Sequence, residues 1–173
     1  MCARTVPTPT PAAPQDSVVL DLPVFSDSLT PGAPVPTQFT CDGADRSPHI
    51  RWGEPPPLTR SFAIVMDDPD APRGVFTHWL VYSLPANARS LPEGVERLDR
   101  LNNGAVQGKN SAGTVGYRGP CPPAGPAHEY RFYVYALDQE INLPGGASVS
   151  ELLAAIRGHA LAMGILRVTY QRR

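Results

Sequence analysis

Short apolar runs, separated by polar stretches rich in Pro and Gly, make up most of this chain. Five runs have the length and the β-branched or aromatic content of strands: residues 17–22, 61–66, 76–84, 130–137 and 165–171. The run at 61–66 is almost continuously apolar, which is typical of a strand buried on both faces. The pattern therefore predicts a mainly β protein.

One segment near the C-terminus has the period of a helix. Ser148 followed by Glu151 forms a capping-box pattern, which marks a helix start. Apolar residues then recur at helical spacing: Leu152, Leu153, Ile156, Ala160 and Met163. Gly164 is expected to end this helix in the left-handed conformation. The sequence thus predicts one late helix beside the strands.

Composition and charge exclude several classes of protein. The 21 Pro among 173 residues exclude a long coiled coil or helical bundle, because an interior Pro removes a backbone hydrogen bond. Fifteen Lys and Arg against sixteen Asp and Glu, with no basic run, do not favour nucleic-acid binding. No apolar run reaches the ~18 residues of a membrane span. The length fits one domain.

The first sixteen residues differ from the rest. Residues 1–16 are rich in Pro and Thr and have few large apolar side chains, so we expect a disordered tether before a single domain at 17–173. Cys2 at its head resembles the mature end of a bacterial lipoprotein, with a lipid anchor and an envelope location. The alternative is a frayed cytoplasmic terminus with an incidental Cys.

Three segments contain the candidate site chemistry. In the first, Asp68, Asp70 and Pro72 belong to a rigid acidic turn after the buried strand. The simpler interpretation of this turn is that its Asp side chains bond their own backbone. In the second, His78 is predicted by alternation to share a strand face with Leu80 and Tyr82, and a purely structural histidine is the simpler interpretation there.

The third segment is a loop that leads into an aromatic strand. Gly119 would let the backbone approach a ligand closely, and Pro120 would stiffen the loop. His128 and Tyr130 share one face if the strand has begun by His128, and both can bond an anion or a polar headgroup. The alternative is a structural Pro-rich loop.

Together these segments resemble a known family. The strings that match are FTCDG (39–43), DPDAP (68–72), HW (78–79), GPCPP (119–123) and H-x-Y (128–130), in this order. They resemble the phosphatidylethanolamine-binding protein family, in particular its bacterial Raf-kinase-inhibitor-like branch, over about residues 20–171. Each string alone is weak, but the combination is specific.

The resemblance implies a fold and a function. The implied fold is a large antiparallel sheet flanked by a smaller sheet, with a C-terminal helix. The implied function is non-enzymatic binding of phosphate-like anions or phospholipid headgroups in a small surface pocket, without a cofactor. The pocket residues carried over are Asp68, Asp70, Pro72, His78, Gly119, Pro120, His128 and Tyr130. Glu129 departs from the family pattern, because a basic residue often stands there.

Physical chemistry gives these residues distinct roles. An anion would be repelled by Asp68 and Asp70, so the carboxylates are expected to orient a histidine ring and favour its cationic form. A cationic histidine, the Tyr130 hydroxyl and loop N–H groups could then hold phosphate oxygens. We therefore expect anion binding that weakens as the pH rises above the histidine pKa values.

Enzyme and partner hypotheses remain as alternatives. Two Asp and two His could hold a metal, Cys121 with His128 could form a nucleophile–base pair, and Asp68 with Asp70 could serve acid–base hydrolysis. Cys41 and Cys121 could form a disulfide in an exported protein, whereas both would be thiols in a reducing cytosol. The resemblance also implies modulation of a kinase or protease partner, which no residue here identifies.

Overall fold

The computed structural model describes residues 18–173. The expected tether at 1–16 and the expected lipidation of Cys2 lie outside the described residues. Within that range the chain forms strands β1 Leu20–Asp21, β2 Val24–Phe25, β3 Ile50–Trp52, β4 Ser61–Asp68, β5 Phe76–Pro85, β6 Ser90–Leu91, β7 Val106–Gln107, β8 His128–Leu137 and β9 Ala160–Tyr170, a 3₁₀ helix Thr37–Phe39 and helix α1 Val149–Ile156. None of these helices is long and apolar enough to cross a membrane.

Two sheets and one α-helix make up the architecture of residues 18–173. The large sheet has the strand order β1-β9-β8-β4-β5-β7, and the small sheet has the order β2-β3-β6. The predicted mainly β fold, with a large sheet, a smaller sheet and a C-terminal helix, is confirmed. The large sheet is mixed rather than wholly antiparallel, because β1 pairs with β9 in parallel through Leu20–Ala162 and Asp21–Met163.

The large sheet lies between two apolar cores. Residues of the small sheet such as Trp52 pack with Phe62 and Phe132 of the large sheet in the larger core. On the other face, Leu152 and Ile156 of α1 pack in a second core. β4 contributes to both cores, and its first six residues are buried. The sequence-based prediction that this strand is buried on both faces is therefore confirmed.

The helix begins where the sequence predicts and ends earlier. The Ser148 side chain accepts from the Glu151 N–H, and the Glu151 side chain accepts from the Ser148 N–H. The predicted continuation to Met163 is wrong, because Gly158 turns the chain at φ +78° and β9 begins at Ala160.

Gly164, predicted to cap the helix, instead lies inside β9 opposite Val134. A Cβ atom there would lie 1.6 Å from the Leu22 carbonyl oxygen, so glycine serves a close approach of the neighbouring backbone.

A register shift in β5 determines where His78 points. Met66 of β4 pairs with Trp79, and Asp67 pairs with Thr77, so His78 has no partner in β4. Such a bulge interrupts the alternation of side chains between the two faces. The prediction that His78 shares a face with Leu80 and Tyr82 is therefore wrong. Those two residues pack in the core under α1, whereas the His78 ring contacts Tyr130 of the larger core.

Candidate functional site

A surface cavity of about 130 Å³ lies where β4 ends and where β5 and β8 begin. Five predicted site residues line it: Asp68, Pro72, His78, His128 and Tyr130. Six further residues line it, of which only Cys121 was a candidate, in the nucleophile and disulfide hypotheses: Ala71, Phe76, Arg118, Cys121, Pro122 and Pro123. We call Asp68, His128 and Tyr130 the sheet wall, because they belong to β4 and β8, and residues 118–123 the loop wall.

The sheet wall contains a buried carboxylate–imidazole pair. The His128 Nδ1 lies 2.8 Å from Asp68 Oδ2, and the two residues are only 8% and 3% exposed. The other carboxylate oxygen, Asp68 Oδ1, accepts from the Asp70 N–H at 2.8 Å. Asp68 thus orients the His128 ring, which is the role that its charge suggested.

The Tyr130 hydroxyl is the unsatisfied polar group of the sheet wall. Tyr130 is fully buried, and its hydroxyl makes no hydrogen bond of ordinary geometry among residues 18–173, although the Asp68 carboxylate lies near enough to raise the Tyr130 pKa as an acceptor. Its ring lies between two imidazoles, with centroid distances of 5.3 Å to His78 and 6.5 Å to His128. Burial raises the pKa of Tyr130, and the negative charge of Asp68 raises it further. The group therefore remains a protonated donor at neutral pH.

His78 is held from the loop wall. Its Nδ1 lies 2.6 Å from the Arg118 carbonyl oxygen. Because a carbonyl can only accept, Nδ1 carries the proton, and Nε2 is unprotonated in the neutral ring. Burial lowers the pKa of His78, although the carbonyl bond and the charge of Asp68 act in the opposite direction. The neutral ring therefore predominates at neutral pH, and Nε2 has no hydrogen-bond partner within the described chain.

Gly119 and Pro120 do not line the cavity, contrary to their predicted place. The Gly119 N–H donates to Asp45 Oδ1 at 2.7 Å, and the Pro120 carbonyl accepts from the Cys41 N–H at 3.1 Å. A Cβ atom on Gly119 would lie 2.3 Å from the Phe39 carbonyl oxygen. The glycine therefore permits close packing against protein backbone and not against a ligand.

Asp70 also lies outside the cavity lining. Its Oδ2 accepts from the Glu129 N–H at 2.8 Å, which ties the acidic loop to the start of β8. The Glu129 side chain lies 3.7 Å from Arg167 Nε. Asp70 thus braces the sheet wall instead of facing a ligand.

A disulfide closes the loop wall. Cys41 and Cys121 are bonded, with their Cα atoms 5.4 Å apart. Cys121 therefore offers no thiol to His128 while this bond is intact. Residues 18–173 contain no group of three or more His, Cys, Asp or Glu side chains that could hold a metal ion. Of the two carboxylates in the hydrolysis hypothesis, Asp68 lines the cavity and Asp70 does not.

Several lining residues had a signal in the sequence that could have identified them. Pro122 and Pro123 stand in the GPCPP string, and their place beside Cys121 was the available signal. Arg118 directly precedes that string and is exposed. Strand alternation was the available signal for Phe76, which lies two residues before His78 and shares its side of β5.

Residues 18–173 thus combine a mainly β fold with a small cavity between strand ends and a Pro-rich loop. The family model described as phosphatidylethanolamine-binding protein matches residues 25–171. The chain therefore belongs to the phosphatidylethanolamine-binding protein family.

Individual relatives agree with this assignment. A UPF0098 protein of Methanothermobacter thermautotrophicus is 45% identical over 138 residues, which cover 80% of this chain and 91% of the relative. Mycobacterium tuberculosis LppC, named as a candidate lipoprotein, is 36% identical over 170 residues, covering 98% of this chain and 80% of LppC. The crystal structure of Escherichia coli YbcL, described as a new member of the mammalian PEBP family, superposes with a TM-score of 0.83 at 32% identity and covers 88% of this chain and 99% of YbcL.

Proposed function

We propose that this protein is a non-enzymatic binding module whose cavity takes a phosphate-like anion or the phosphate of a phospholipid headgroup. The observation that carries the proposal is the Tyr130 hydroxyl, which is buried without a partner beside two imidazoles. An unpaired buried hydroxyl costs about 1–3 kcal/mol, and a ligand oxygen would remove this cost.

The charges around the cavity favour an anion of modest size. Asp68 Oδ2 contacts His128 Nδ1 and Asp68 Oδ1 accepts from the Asp70 N–H, so each carboxylate oxygen already has one partner and is less available to a cationic ligand. Arg118 lies at the cavity, and no carboxylate pairs with it among the described residues. His78 Nε2 becomes a donor when the ring takes up a proton. An oxyanion would therefore meet Tyr130, His78 and the positive charge of Arg118.

The size of the cavity limits the ligand. The cavity is small, with a volume of about 130 Å³, and it lies at the surface. That volume suits a tetrahedral oxyanion and is too small for a whole lipid. A phospholipid would therefore place only its phosphate region in the cavity, with the acyl chains outside.

Anion binding should weaken as the pH rises. The protonated His78 ring binds an anion, and burial lowers the pKa of His78, so the cationic form is favoured at acid pH. Titration calorimetry with sulfate, whose charge is constant in this range, should give a higher affinity at about pH 5.5 than at about pH 8.5. Equal affinities would contradict the proposal. The pH dependence should be lost in His78→Gln and kept in His159→Gln. His159→Gln is the matched control, since His159 pairs with Asp138 at 2.9 Å and does not line the cavity.

The source of the phosphate is a second question for the same assay. The affinities of phosphate and of phosphoethanolamine are measured at one pH, with the wild-type protein and with the His78→Gln variant. A headgroup site would bind phosphoethanolamine more tightly, whereas a free-anion site would prefer phosphate. The expected kinase or protease partner stays a prediction.

The LppC match supports a further proposal about location, namely that Cys2 carries a lipid and holds the domain at the cell envelope. Metabolic labelling with palmitate should mark the wild-type protein and not the Cys2→Ser variant. Labelling of neither protein would contradict it.

A further inference from the structure

The loop that follows the FTCDG string (residues 39–43) lies behind the loop wall, where it contacts the protein and not the cavity. Asp45 is in this loop, and its side chain is 31% exposed. Its backbone has φ +52°, a left-handed conformation that Asp and Asn tolerate better than most residues. Neither Asp45 nor its partner Arg97 lines the cavity.

Asp45 and Arg97 hold the chain on both sides of Arg118. Asp45 Oδ1 accepts from the Gly119 N–H at 2.7 Å, and Asp45 Oδ2 accepts from Arg97 Nη2 at 2.8 Å. The Arg97 Nε–H donates to the Tyr117 carbonyl at 2.9 Å. One ion pair thus fixes the residue before Arg118 and the residue after it.

The peptide groups of Arg118 in turn hold His78. The Arg118 N–H donates to the His78 carbonyl at 3.0 Å, and the Arg118 carbonyl accepts from His78 Nδ1 at 2.6 Å. His78 is the bulged residue of β5 and has no pairing partner in β4. Its ring is therefore oriented from the loop wall, through a carbonyl whose position Asp45 and Arg97 determine.

We propose that Asp45, acting with Arg97, is a positioning residue that fixes the ring and the tautomer of His78 through the backbone of residues 117–119. Its effect on ligand affinity rests on the proposed function, whereas its effect on the His78 ring does not. Losing the brace would free the Arg118 carbonyl to move and would let His78 adopt the other tautomer.

Asp45→Asn is the sharpest variant, because Asn keeps the shape and tolerates the left-handed backbone. Its single side-chain oxygen can face the Gly119 N–H or Arg97 Nη2 but not both, and its charge is gone, so Arg97 Nη2 keeps for certain only its bond to the Asp45 main-chain carbonyl at 2.6 Å. Arg97→Lys is a second variant, since an ammonium cannot bridge Tyr117 and Asp45 as a guanidinium does. Asp27→Asn is the control, because Asp27 forms an exposed ion pair with Arg51 at 3.0 Å, away from the loop wall. Asp27 also lies 3.6 Å from His49 Nδ1, so only the His78 signals are compared between variants.

The readout is the ¹⁵N spectrum of the histidine side chains in the ligand-free protein at about pH 8, where the His78 ring is neutral because burial lowers its pKa. Wild type and Asp27→Asn should show His78 protonated only at Nδ1, and Asp45→Asn and Arg97→Lys should show a mixture of tautomers. Sulfate affinity at acid pH should fall about tenfold in both brace variants.

An unchanged His78 spectrum and an unchanged affinity in folded Asp45→Asn and Arg97→Lys would overturn the positioning role. If wild type binds no sulfate while the brace variants still shift the His78 signals, the positioning role stands and the proposed function fails. Thermal unfolding shows whether each variant is folded. If Asp45→Asn does not fold, Arg97→Lys alone tests the positioning role.

Discussion

The two walls of the cavity are held in place by different means. The sheet wall belongs to strands β4 and β8, whose pairing extends over seven residue pairs from Ser61–Leu137 to Asp67–Arg131. The loop wall has little regular pairing and is fixed by a disulfide, an ion pair and side-chain bonds from distant residues. One wall is rigid because of its backbone, and the other because of its side chains.

The difference shows in two buried tyrosines. Tyr117, next to the loop wall, donates its hydroxyl proton to the Phe39 carbonyl at 2.6 Å and so helps to hold the loop. Tyr130, in the sheet wall, has no such partner. A strand keeps its shape without help from that hydroxyl, so the sheet wall can leave a donor free for a ligand, whereas the loop cannot.

Breaking the disulfide should have the largest effect. The bond joins residues 80 positions apart, and a closed loop of that length stabilises the folded state by about 4 kcal/mol. A Cys41→Ser, Cys121→Ser double variant should lose most of this free energy of unfolding in urea denaturation. Wild type in reductant should match the variant, and equal stability of oxidised and reduced wild type would contradict this account of the loop wall.

Removing the carboxylate of the sheet wall should come next. Asp68→Ala leaves the His128 ring buried without its partner, which should cost about 3 kcal/mol in the free energy of unfolding. Asp27→Ala is the comparison, since its exposed ion pair should contribute about 1 kcal/mol or less. Similar losses in the two variants would show that the Asp68–His128 pair does not brace the sheet wall.

The smallest effect separates the two tyrosines. Tyr117→Phe removes a made hydrogen bond and should cost about 1 kcal/mol of stability. Tyr130→Phe removes an unpaired hydroxyl and should leave stability unchanged or slightly raised, while sulfate affinity falls about tenfold. The comparison fails if Tyr130→Phe costs as much as Tyr117→Phe in the absence of a ligand.

Local signals in the sequence predicted much of the fold. The buried strand at 61–66, the helix start at Ser148 and the shared face of His128 and Tyr130 depend on residues near one another in the chain. The helix end was wrong because the apolar spacing of Ala160 and Met163 fits a helix, although these residues belong to β9. Nothing within that window shows that the chain turns at Gly158 and returns to the sheet.

Features set by distant partners escaped prediction. The bulge at His78 is defined only by how β4 and β5 align, so strand alternation placed the ring on the wrong face. Gly119 packs against Phe39 and Asp45, which lie more than seventy residues earlier in the chain. This glycine was instead predicted to let the backbone approach a ligand. The motif strings marked the region of the site, and long-range contacts decide which residues face it.

The Cys41–Cys121 bond also bears on how the protein withstands proteolysis. The exposed Arg73, in the loop between β4 and β5, offers a trypsin site inside the segment that the disulfide spans. A single cut after Arg73 would leave both fragments covalently joined, with the β4–β8 and β5–β7 pairings intact. The nicked chain would run as one species on a non-reducing gel and as two after reduction.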